Sequence, residues 1–242
     1  MTARTPQILI SASILNADFS RLDRVVHKVE RAGVDRIHLD VMDGHFVDNL
    51  TFGPDVVKAF RRLTDLPLDV HLMISEPARY MDRFIDARPQ TITFHIETEE
   101  SDELKDGAFA AIQAADMGAG LAISPDTPVT AVAGRAHDLD IIMVMTVYPG
   151  WGGQGFLPEA APKIAQARDL LAAAGRGGLV HVDGGVNSKT AEIVGSHGID
   201  VCIVGSALFQ RGRDASDEVE LVRQRALRGR EAFAAAGNSE GG

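Results

Sequence analysis

Cysteine, aromatic residues, positive charge and long apolar runs are all scarce in this 242-residue sequence. The one cysteine, Cys202, excludes an internal disulfide, and its place in an apolar run predicts a buried small side chain, not a nucleophile. Aromatic residues make up 5% of the chain, so its core has to be built from aliphatic side chains. No stretch approaches the ~18 apolar residues of a membrane helix, and the first residues do not form an apolar leader. We therefore expect a cytoplasmic protein with no membrane partner.

The shortage of positive charge limits the kind of partner. The formal net charge is −10 and the sequence pI is about 5.2. Nucleic acid is excluded as the main partner, because binding a phosphate backbone needs clustered lysine and arginine. A small phosphorylated ligand stays possible, because backbone amides alone can hold a phosphate group.

Short apolar runs that alternate with longer amphipathic stretches predict the fold. Eight runs are rich in Val, Ile and Leu, which is typical of strands buried on both faces. They cover residues 8–12, 36–41, 66–73, 91–95, 119–123, 141–147, 178–182 and 201–204. Helical patterns between them cover 19–32, 54–63, 77–87, 103–117, 128–136, 159–174 and 189–197. Such alternation implies parallel strands joined by right-handed crossovers.

An open doubly wound sheet would also alternate, but eight units in a chain of this length favour a closed barrel, which commonly takes about 250 residues. We predict an α/β protein with one domain, residues 1–242, folded as a single (β/α)8 TIM barrel. A last helix is predicted over 218–235, with 237–242 as a frayed tail.

Ligand-type side chains stand at the ends of three predicted strands. His38 and Asp40 are two residues apart on one strand and therefore share a face. If that face is the barrel interior, they converge with His71 and Asp183 at the end where such barrels carry their active sites. Two imidazoles and two carboxylates can bind Zn, Fe(II), Mn or Co. The alternative is that each is only a hydrogen-bonded core group, which is how we interpret His181.

Three glycine-rich loops follow predicted strands 6, 7 and 8, at residues 149–156, 183–186 and 204–207. Glycine lets the backbone approach a ligand closely and presents its amides to an anion. Barrels often hold phosphate in the loops after strands 7 and 8. The three loops together predict a phosphate site beside the metal cluster.

Five stretches in order along the chain resemble the ribulose-phosphate 3-epimerase family. They are residues 13–19, 38–47, 69–73, 145–154 and 182–186, within a resemblance that runs from about 8 to 210. The resemblance implies a (β/α)8 barrel with one divalent metal, and His38, Asp40, His71 and Asp183 match the family's ligands. Asp40 and Asp183 also match its two acid/base carboxylates.

Further positions match residues that the family places around its substrate. The predicted substrate-binding residues are Ser13, Met42, His71, Met73, Met145, Gly150, Gly152, Gly153, Gln154, Gly184, Gly185, Gly205 and Ser206. Among them the three methionines match residues that line the reacting centre. The phosphate-binding positions are matched by Gly152, Gly153, Gly184, Gly185, Gly205 and Ser206. The implied function is that of an isomerase in the pentose phosphate pathway of carbohydrate metabolism. The resemblance also implies a homo-oligomer.

The implied reaction inverts carbon 3 of a phosphorylated ketopentose, converting D-ribulose 5-phosphate to D-xylulose 5-phosphate. A proton leaves one face of the carbon and another returns on the opposite face, which two carboxylates can serve better than one. Asp40 and Asp183 can flank the planar enediolate, and a divalent cation can stabilise its charge. One carboxyl group is expected to be protonated while the other is ionised.

Some loop residues depart from the family pattern, among them Asp48, Tyr148 and Trp151. Because these loops can touch the substrate, an epimerase of another ketose phosphate, such as allulose 6-phosphate, remains an alternative. A non-catalytic barrel that only binds a sugar phosphate is a more remote one.

Overall fold

The computed structural model of the protein describes residues 7–175, 177–210 and 212–239. Eight parallel strands close into a barrel in chain order, with β8 paired to β1. The strands are β1 (Leu9–Ser13), β2 (Arg36–Met42), β3 (Leu68–Met73), β4 (Thr91–His95), β5 (Gly118–Ile123), β6 (Ile141–Met145), β7 (Leu179–Asp183) and β8 (Val201–Val204). The predicted (β/α)8 barrel is confirmed, and each predicted strand lies within two residues of its observed bounds.

Helices connect the strands on the outside of the barrel. They are α1 (Leu22–Arg31), α2 (Pro54–Leu63), α3 (Pro77–Ile85), α4 (Asp102–Ala114), α5 (Pro162–Ala174), α6 (Ala191–Gly195) and α7 (Ala215–Ser239). Short 3₁₀ helices cover Phe19–Arg21, Val129–Arg135, Pro158–Ala160 and Ser206–Phe209. Proline stands in the first turn of α2, α3 and α5, where its missing amide proton costs nothing.

Two predicted helices differ from the observed ones. The segment predicted as a helix over 128–136 forms only 3₁₀ turns, because Val129, Thr130 and Gly134 have low helix propensity. The helix predicted over 189–197 is reduced to α6, which packs closely on α7. A side chain at Gly195 would clash with the carbonyl of Ala226, so the small residue allows this close approach.

The last helix extends beyond its predicted bounds at both ends. It runs from Ala215 to Ser239, where 218–235 was expected. Of the predicted frayed tail, 237–239 belong to this helix and 240–242 lie outside the described residues. None of the described helices is both long and apolar enough to cross a membrane.

Aliphatic side chains form the main core, between the outer face of the barrel and the helices. Successive strand residues alternate between this core and the barrel interior. On β2, for example, Ile37, Leu39 and Val41 belong to the outer core. Cys202 is also fully buried there, and burial raises the pKa of its thiol to about 12. The cysteine is therefore a core residue, as predicted.

The barrel interior contains an apolar cluster from three strands and polar side chains from the other five. Side chains of β5, β6 and β8 form a small apolar cluster that includes Ala122, Met143 and Ile203. The interior residues of β1 to β4 and of β7 are mostly polar and buried. His181 is one of them, fully buried without a hydrogen-bond partner for either ring nitrogen, and burial lowers its pKa to about 3. It is thus a neutral core histidine.

A lower polar cluster, made of Ser11, Arg36, Asp69 and Thr91, lies near the N-terminal ends of the first four strands. The Arg36 guanidinium donates to both carboxylate oxygens of Asp69 over 2.5–2.9 Å. The hydroxyls of Ser11 and Thr91 donate to the same carboxylate at 2.9 and 2.7 Å. This cluster closes the bottom of the barrel with every carboxylate oxygen satisfied.

Candidate active site

An upper polar cluster, made of His38, Asp40, His71 and Asp183, lies at the C-terminal ends of β2, β3 and β7. One donor atom from each side chain lies within 4.8 Å of the others. It is the one such group of metal-ligand type found among residues 7–175, 177–210 and 212–239. The four residues predicted from strand ends are therefore brought together. Barrel closure is the cause, since it places β7 opposite β2 and β3.

The distances centre on the two carboxylates. Asp40 Oδ1 lies 3.2 Å from His38 Nε2 and 3.1 Å from His71 Nδ1. Asp183 Oδ2 lies 3.9 Å from His38 Nε2 and 3.7 Å from His71 Nδ1. Both histidines are fully buried, and the Asp183 side chain is 16% exposed toward the barrel mouth. One small ion at the centre can be reached by all four side chains.

His38 tests whether these residues suit a metal ion. Neither of its ring nitrogens makes a well-aligned hydrogen bond, although both are buried and Nε2 lies 3.2 Å from Asp40 Oδ1. Leaving such a group unsatisfied costs roughly 1–3 kcal/mol, which binding of an ion to Nε2 would offset. Burial disfavours a charged His38, yet the carboxylates of Asp40 and Asp183 raise its pKa to about 9. The cluster thus attracts positive charge, and a His2Asp2 donor set fits a divalent cation.

The two carboxyl groups have opposite tendencies to ionise. Burial opposes charge on Asp40, but the charge of His38 and the hydrogen bond with His71 outweigh it and hold the Asp40 pKa well below its usual range. Burial and the neighbouring negative charge of Asp40 raise the pKa of Asp183 to about 7. Near neutral pH, one carboxyl group is therefore ionised while the other can carry a proton. Such a pair can provide both a base and an acid.

A cavity of about 250 Å³ opens above the upper polar cluster. Its lining includes Ser13, Asp40, Met42, Met73, Met145, Gly150, Gly152, Gly153, Gln154, Asp183, Gly184, Gly185, Gly205 and Ser206. Every predicted substrate-binding residue except His71 is in that lining. His71 lies fully buried beneath it, so its side chain faces the cluster and not the cavity.

Ser13 and the methionines surround the carboxylates at the floor of the cavity. The Ser13 hydroxyl donates to Asp40 Oδ2 at 2.7 Å, which leaves Oδ1 toward the histidines. Met42, Met73 and Met145 are each at most 4% exposed. Their side chains give the carboxylate end of the cavity an apolar wall.

The glycine-rich loops form the other end of the cavity. Gly184 and Gly185 have φ values of +121° and +65°, which L side chains rarely adopt. A Cβ at Gly185 would lie 2.6 Å from the backbone nitrogen of Phe156, so the β6 and β7 loops touch here through bare backbone. Among the described residues that line the cavity there is no lysine or arginine. The polar groups available at this end are therefore backbone amides and neutral side chains.

Asparagine side chains hold the β6 loop, residues 146–157, across the barrel mouth. Asn49 Nδ2 donates to the carbonyl oxygen of Gly150 at 2.7 Å. Gly152 lies so close to Asn16 that a side chain there would clash with the amide. Gln154 donates to the carbonyl oxygens of Tyr148 and Trp151 within the loop. Gln154, predicted to bind the substrate, lines the cavity, and its amide nitrogen also braces the loop.

Sequence reasoning missed Glu97, which lies two residues beyond His95 after β4. Glu97 Oε2 lies 3.0 Å from His95 Nδ1, and His95 Nε2 lies 2.9 Å from His71 Nε2. Burial opposes charge on Glu97, but hydrogen bonds with His95 and the following loop lower its pKa to about 2. Burial lowers the pKa of both His71 and His95. The spacing of His95 and Glu97 repeats that of His38 and Asp40, which is the signal that could have revealed it.

Comparisons with known proteins agree with this geometry. The sequence model of the ribulose-phosphate 3 epimerase family matches residues 9–209. The chain is 42% identical to a ribulose-phosphate 3-epimerase of Bacillus subtilis over 203 residues, 84% of this chain and 92% of the relative. It is 40% identical to the chloroplastic ribulose-5-phosphate-3-epimerase of Arabidopsis thaliana over 89% of this chain and 75% of the relative.

Solved structures show the same fold at much lower sequence identity. A 3-hexulose-6-phosphate synthase from Salmonella typhimurium superposes with a TM-score of 0.69 at 18% identity, covering 92% of this chain and all of that one. A 3-keto-L-gulonate-6-phosphate decarboxylase from Vibrio cholerae gives 0.68 at 14%, covering 92% and 98%. At such identities the likeness concerns the fold alone.

Proposed function

The chain belongs to the ribulose-phosphate 3-epimerase family and is an epimerase, and from this premise we propose that it interconverts D-ribulose 5-phosphate and D-xylulose 5-phosphate. The observation that carries the proposal is the pair Asp40 and Asp183. These carboxyl groups come from separate strands and share one cluster. The pKa of Asp40 is lowered and that of Asp183 is raised. This is the arrangement that inversion at a carbon next to a ketone requires.

The upper polar cluster would hold one divalent cation through His38, His71 and the two aspartates. Zn, Fe(II), Mn and Co all accept this donor set. The bound cation supplies Lewis-acid stabilisation of the negative charge that develops on the substrate oxygens, worth several kcal/mol. We include a cation because the buried Nε2 of His38 lacks a well-aligned hydrogen bond and lies beside two carboxyl groups, which together favour a positive charge.

Proton transfer falls to the two aspartates. The ionised carboxyl group takes the carbon 3 proton on one face, and the protonated carboxyl group returns one on the other. Ser13 holds Oδ2 of Asp40 by a hydrogen bond and so orients the carboxylate toward the cavity floor. The three methionines exclude water that would otherwise protonate the enediolate at random.

The glycine loops would hold the substrate's phosphate group, with amides near Gly184, Gly185 and Gly205. The anchoring is remote from the reacting carbon and serves to place carbon 3 between the carboxyl groups. Because backbone amides hold the phosphate without a cation from the described lining, the acidic net charge of the chain is compatible with an anionic substrate.

Activity on a series of ketose phosphates tests the proposal. Metal-depleted protein is expected to be inactive and to regain turnover with Mn(II), Zn(II), Co(II) or Fe(II). D-ribulose 5-phosphate should exchange its carbon 3 proton in deuterated water and be turned over faster than allulose 6-phosphate. A large preference for the six-carbon sugar would assign the other epimerase activity. Binding without any proton exchange would instead identify a non-catalytic sugar-phosphate barrel.

A further inference from the structure

A hydrogen-bond chain leads from the upper polar cluster to the loop after β4. His71 Nε2 lies 2.9 Å from His95 Nε2, and His95 Nδ1 lies 3.0 Å from Glu97 Oε2. Both imidazoles are fully buried, whereas the Glu97 side chain is 24% exposed. None of the three is among the residues that line the cavity.

The Glu97 carboxylate, at the outer end, determines which nitrogen donates in each hydrogen bond of this chain. An ionised Glu97 only accepts, so His95 Nδ1 must carry the proton of that hydrogen bond. The two Nε2 atoms of His95 and His71 lie 2.9 Å apart, so one must donate and the other accept; with its ring proton on Nδ1, His95 accepts through Nε2 a hydrogen bond from the Nε2–H of His71. The remaining ring nitrogen of His71, Nδ1, faces Asp40 and Asp183 and has its lone pair free once a cation replaces its hydrogen bond with Asp40.

If donation ran in the opposite direction, His71 Nδ1 would carry a proton and could not bind a cation. With a proton on His71 Nδ1, that nitrogen would donate to Asp40 Oδ1, which lies 3.1 Å away. His95 would then turn a lone pair toward the Glu97 carboxylate, and the two acceptors would repel each other. In the direction described first, the matching repulsion between His71 Nδ1 and Asp40 Oδ1 is relieved by a cation bound between them. Glu97 therefore selects the tautomer in which His71 Nδ1 is free to bind a cation.

Glu97 is itself held in place by the loop after β5. Its Oε1 accepts a hydrogen bond from the backbone nitrogen of Ser124 at 2.7 Å. Lys163, in α5, donates to the carbonyl oxygens of Ser124 and Thr127 at 3.1 and 2.7 Å and fixes that loop. Both oxygens of Glu97 are thus engaged, which leaves the carboxylate little freedom to turn away from His95.

We propose that His95 and Glu97 are positioning residues that hold His71 in the tautomer able to bind a divalent cation through Nδ1. The inference rests on the proposed function, because it assumes that the upper polar cluster binds such a cation. It extends the site outward from the ligands to a carboxylate on a separate loop. Groups of this kind commonly change metal affinity by 10–100-fold when they are removed.

The test compares Glu97→Gln with Glu99→Gln, an exposed glutamate on the same loop that loses the same charge. Zn(II) affinity is measured by competition with a chromophoric chelator, and the protonation of the His71 ring nitrogens by ¹⁵N NMR of the metal-free protein. We expect Glu97→Gln to weaken Zn(II) binding 10–100-fold and to shift His71 away from the Nε2–H form. Glu99→Gln should change neither. Equal affinity and an unchanged tautomer in Glu97→Gln would overturn the inference.

A second pair of variants decides the matter even if Glu97→Gln folds poorly. His95→Gln can still accept from His71 Nε2 through its amide oxygen, whereas His95→Leu cannot. We expect His95→Gln to retain more Zn(II) affinity than His95→Leu, and equal losses would contradict the positioning role. Epimerase activity is assayed separately. If Glu97→Gln keeps wild-type turnover and wild-type Zn(II) affinity, only this inference is contradicted. If the wild type has no epimerase activity but Glu97→Gln still weakens Zn(II) binding, only the proposed function is contradicted.

Discussion

The lower and upper polar clusters lie in the same barrel and both draw on β2 and β3. They differ in how fully their charged groups are hydrogen-bonded. On β2, Arg36 belongs to the lower cluster while His38 and Asp40 belong to the upper one. In the lower cluster, Asp69 receives hydrogen bonds from a guanidinium and two hydroxyls. In the upper cluster, His38 makes no well-aligned hydrogen bond and Asp183 stands beside a like charge.

This contrast separates a structural group from a functional one without reference to any relative. A buried ion pair with all its hydrogen bonds made needs no further ligand, and removing one of its two partners costs stability. A buried group with unmet partners is unfavourable for folding; at His38, unlike at His181, further ligand-type side chains converge on it, which indicates a site for a ligand. Three predictions test whether the two clusters differ in this way, and a fourth concerns Glu97, which is linked to the upper cluster through His95.

The largest effect is expected from Asp183→Asn in the upper cluster. Loss of a carboxyl group that transfers the proton should lower kcat roughly 10²–10⁴-fold. The free energy of unfolding should change little, because the substitution removes a charge that Asp40 repels. Turnover of D-ribulose 5-phosphate and urea unfolding measure the two quantities. Near-wild-type turnover would remove Asp183 from the proton transfer.

The reverse result is expected from Asp69→Asn in the lower cluster. Breaking one side of this buried pair leaves the Arg36 guanidinium uncompensated and should cost about 3–5 kcal/mol of unfolding free energy. Turnover per folded molecule at low temperature should stay close to that of the wild type. An Arg36→Met, Asp69→Leu double variant, which removes both charges, is expected to recover much of the stability. A large loss of kcat in Asp69→Asn would break the division between the clusters.

Adding a metal ion to metal-depleted protein should stabilise the fold through the upper cluster and not through the lower one. Zn(II) added to metal-depleted protein at a hundred times its dissociation constant should raise the unfolding free energy by about 2.7 kcal/mol. The same gain is expected in Asp69→Asn, because the lower cluster takes no part in binding. His38→Ala should show far less. Thermal unfolding with and without the metal measures the gain, and an equal gain in His38→Ala would place the ion elsewhere.

The smallest effect concerns the pH dependence of Glu97. Its folded pKa of about 2 lies below the ordinary 4.5, so the folded state favours the ionised form. The stability that this provides is fully present above pH 4.5 and is lost as the pH falls through 2. After screening by solvent we expect roughly 1–2 kcal/mol at neutral pH. The stability difference between the wild type and Glu97→Gln should therefore shrink between pH 4.5 and 2.5, and a constant difference would contradict the shift.

Much of the architecture could be predicted because local patterns repeat. Alternation of apolar runs and helical stretches was enough for the barrel, and proline near helix starts marked α2, α3 and α5. Prediction failed where packing outweighed propensity, as in the shortening of α6 against α7. It also failed over 128–136, where the pattern was helical but the residues favour only 3₁₀ turns.

The composition of the upper cluster also followed from the sequence, since ligand-type residues end β2, β3 and β7 and those ends meet in any closed barrel. Two-residue spacing put His38 and Asp40 on one face for the same reason that strands alternate. The sequence by itself thus determined the fold class, the end of the barrel that carries the chemistry, and the residue types available there.

Only the tertiary structure decided which atoms meet. The pairing of Arg36 with Asp69, the link from His71 through His95 to Glu97, and the asparagine contacts with the β6 loop join segments far apart in the chain. They depend on the register between strands and on side-chain rotamers, which no local pattern specifies. The separation of the Asp40 and Asp183 pKa values arises at the same level, because burial and neighbouring charge exist only once the barrel has closed.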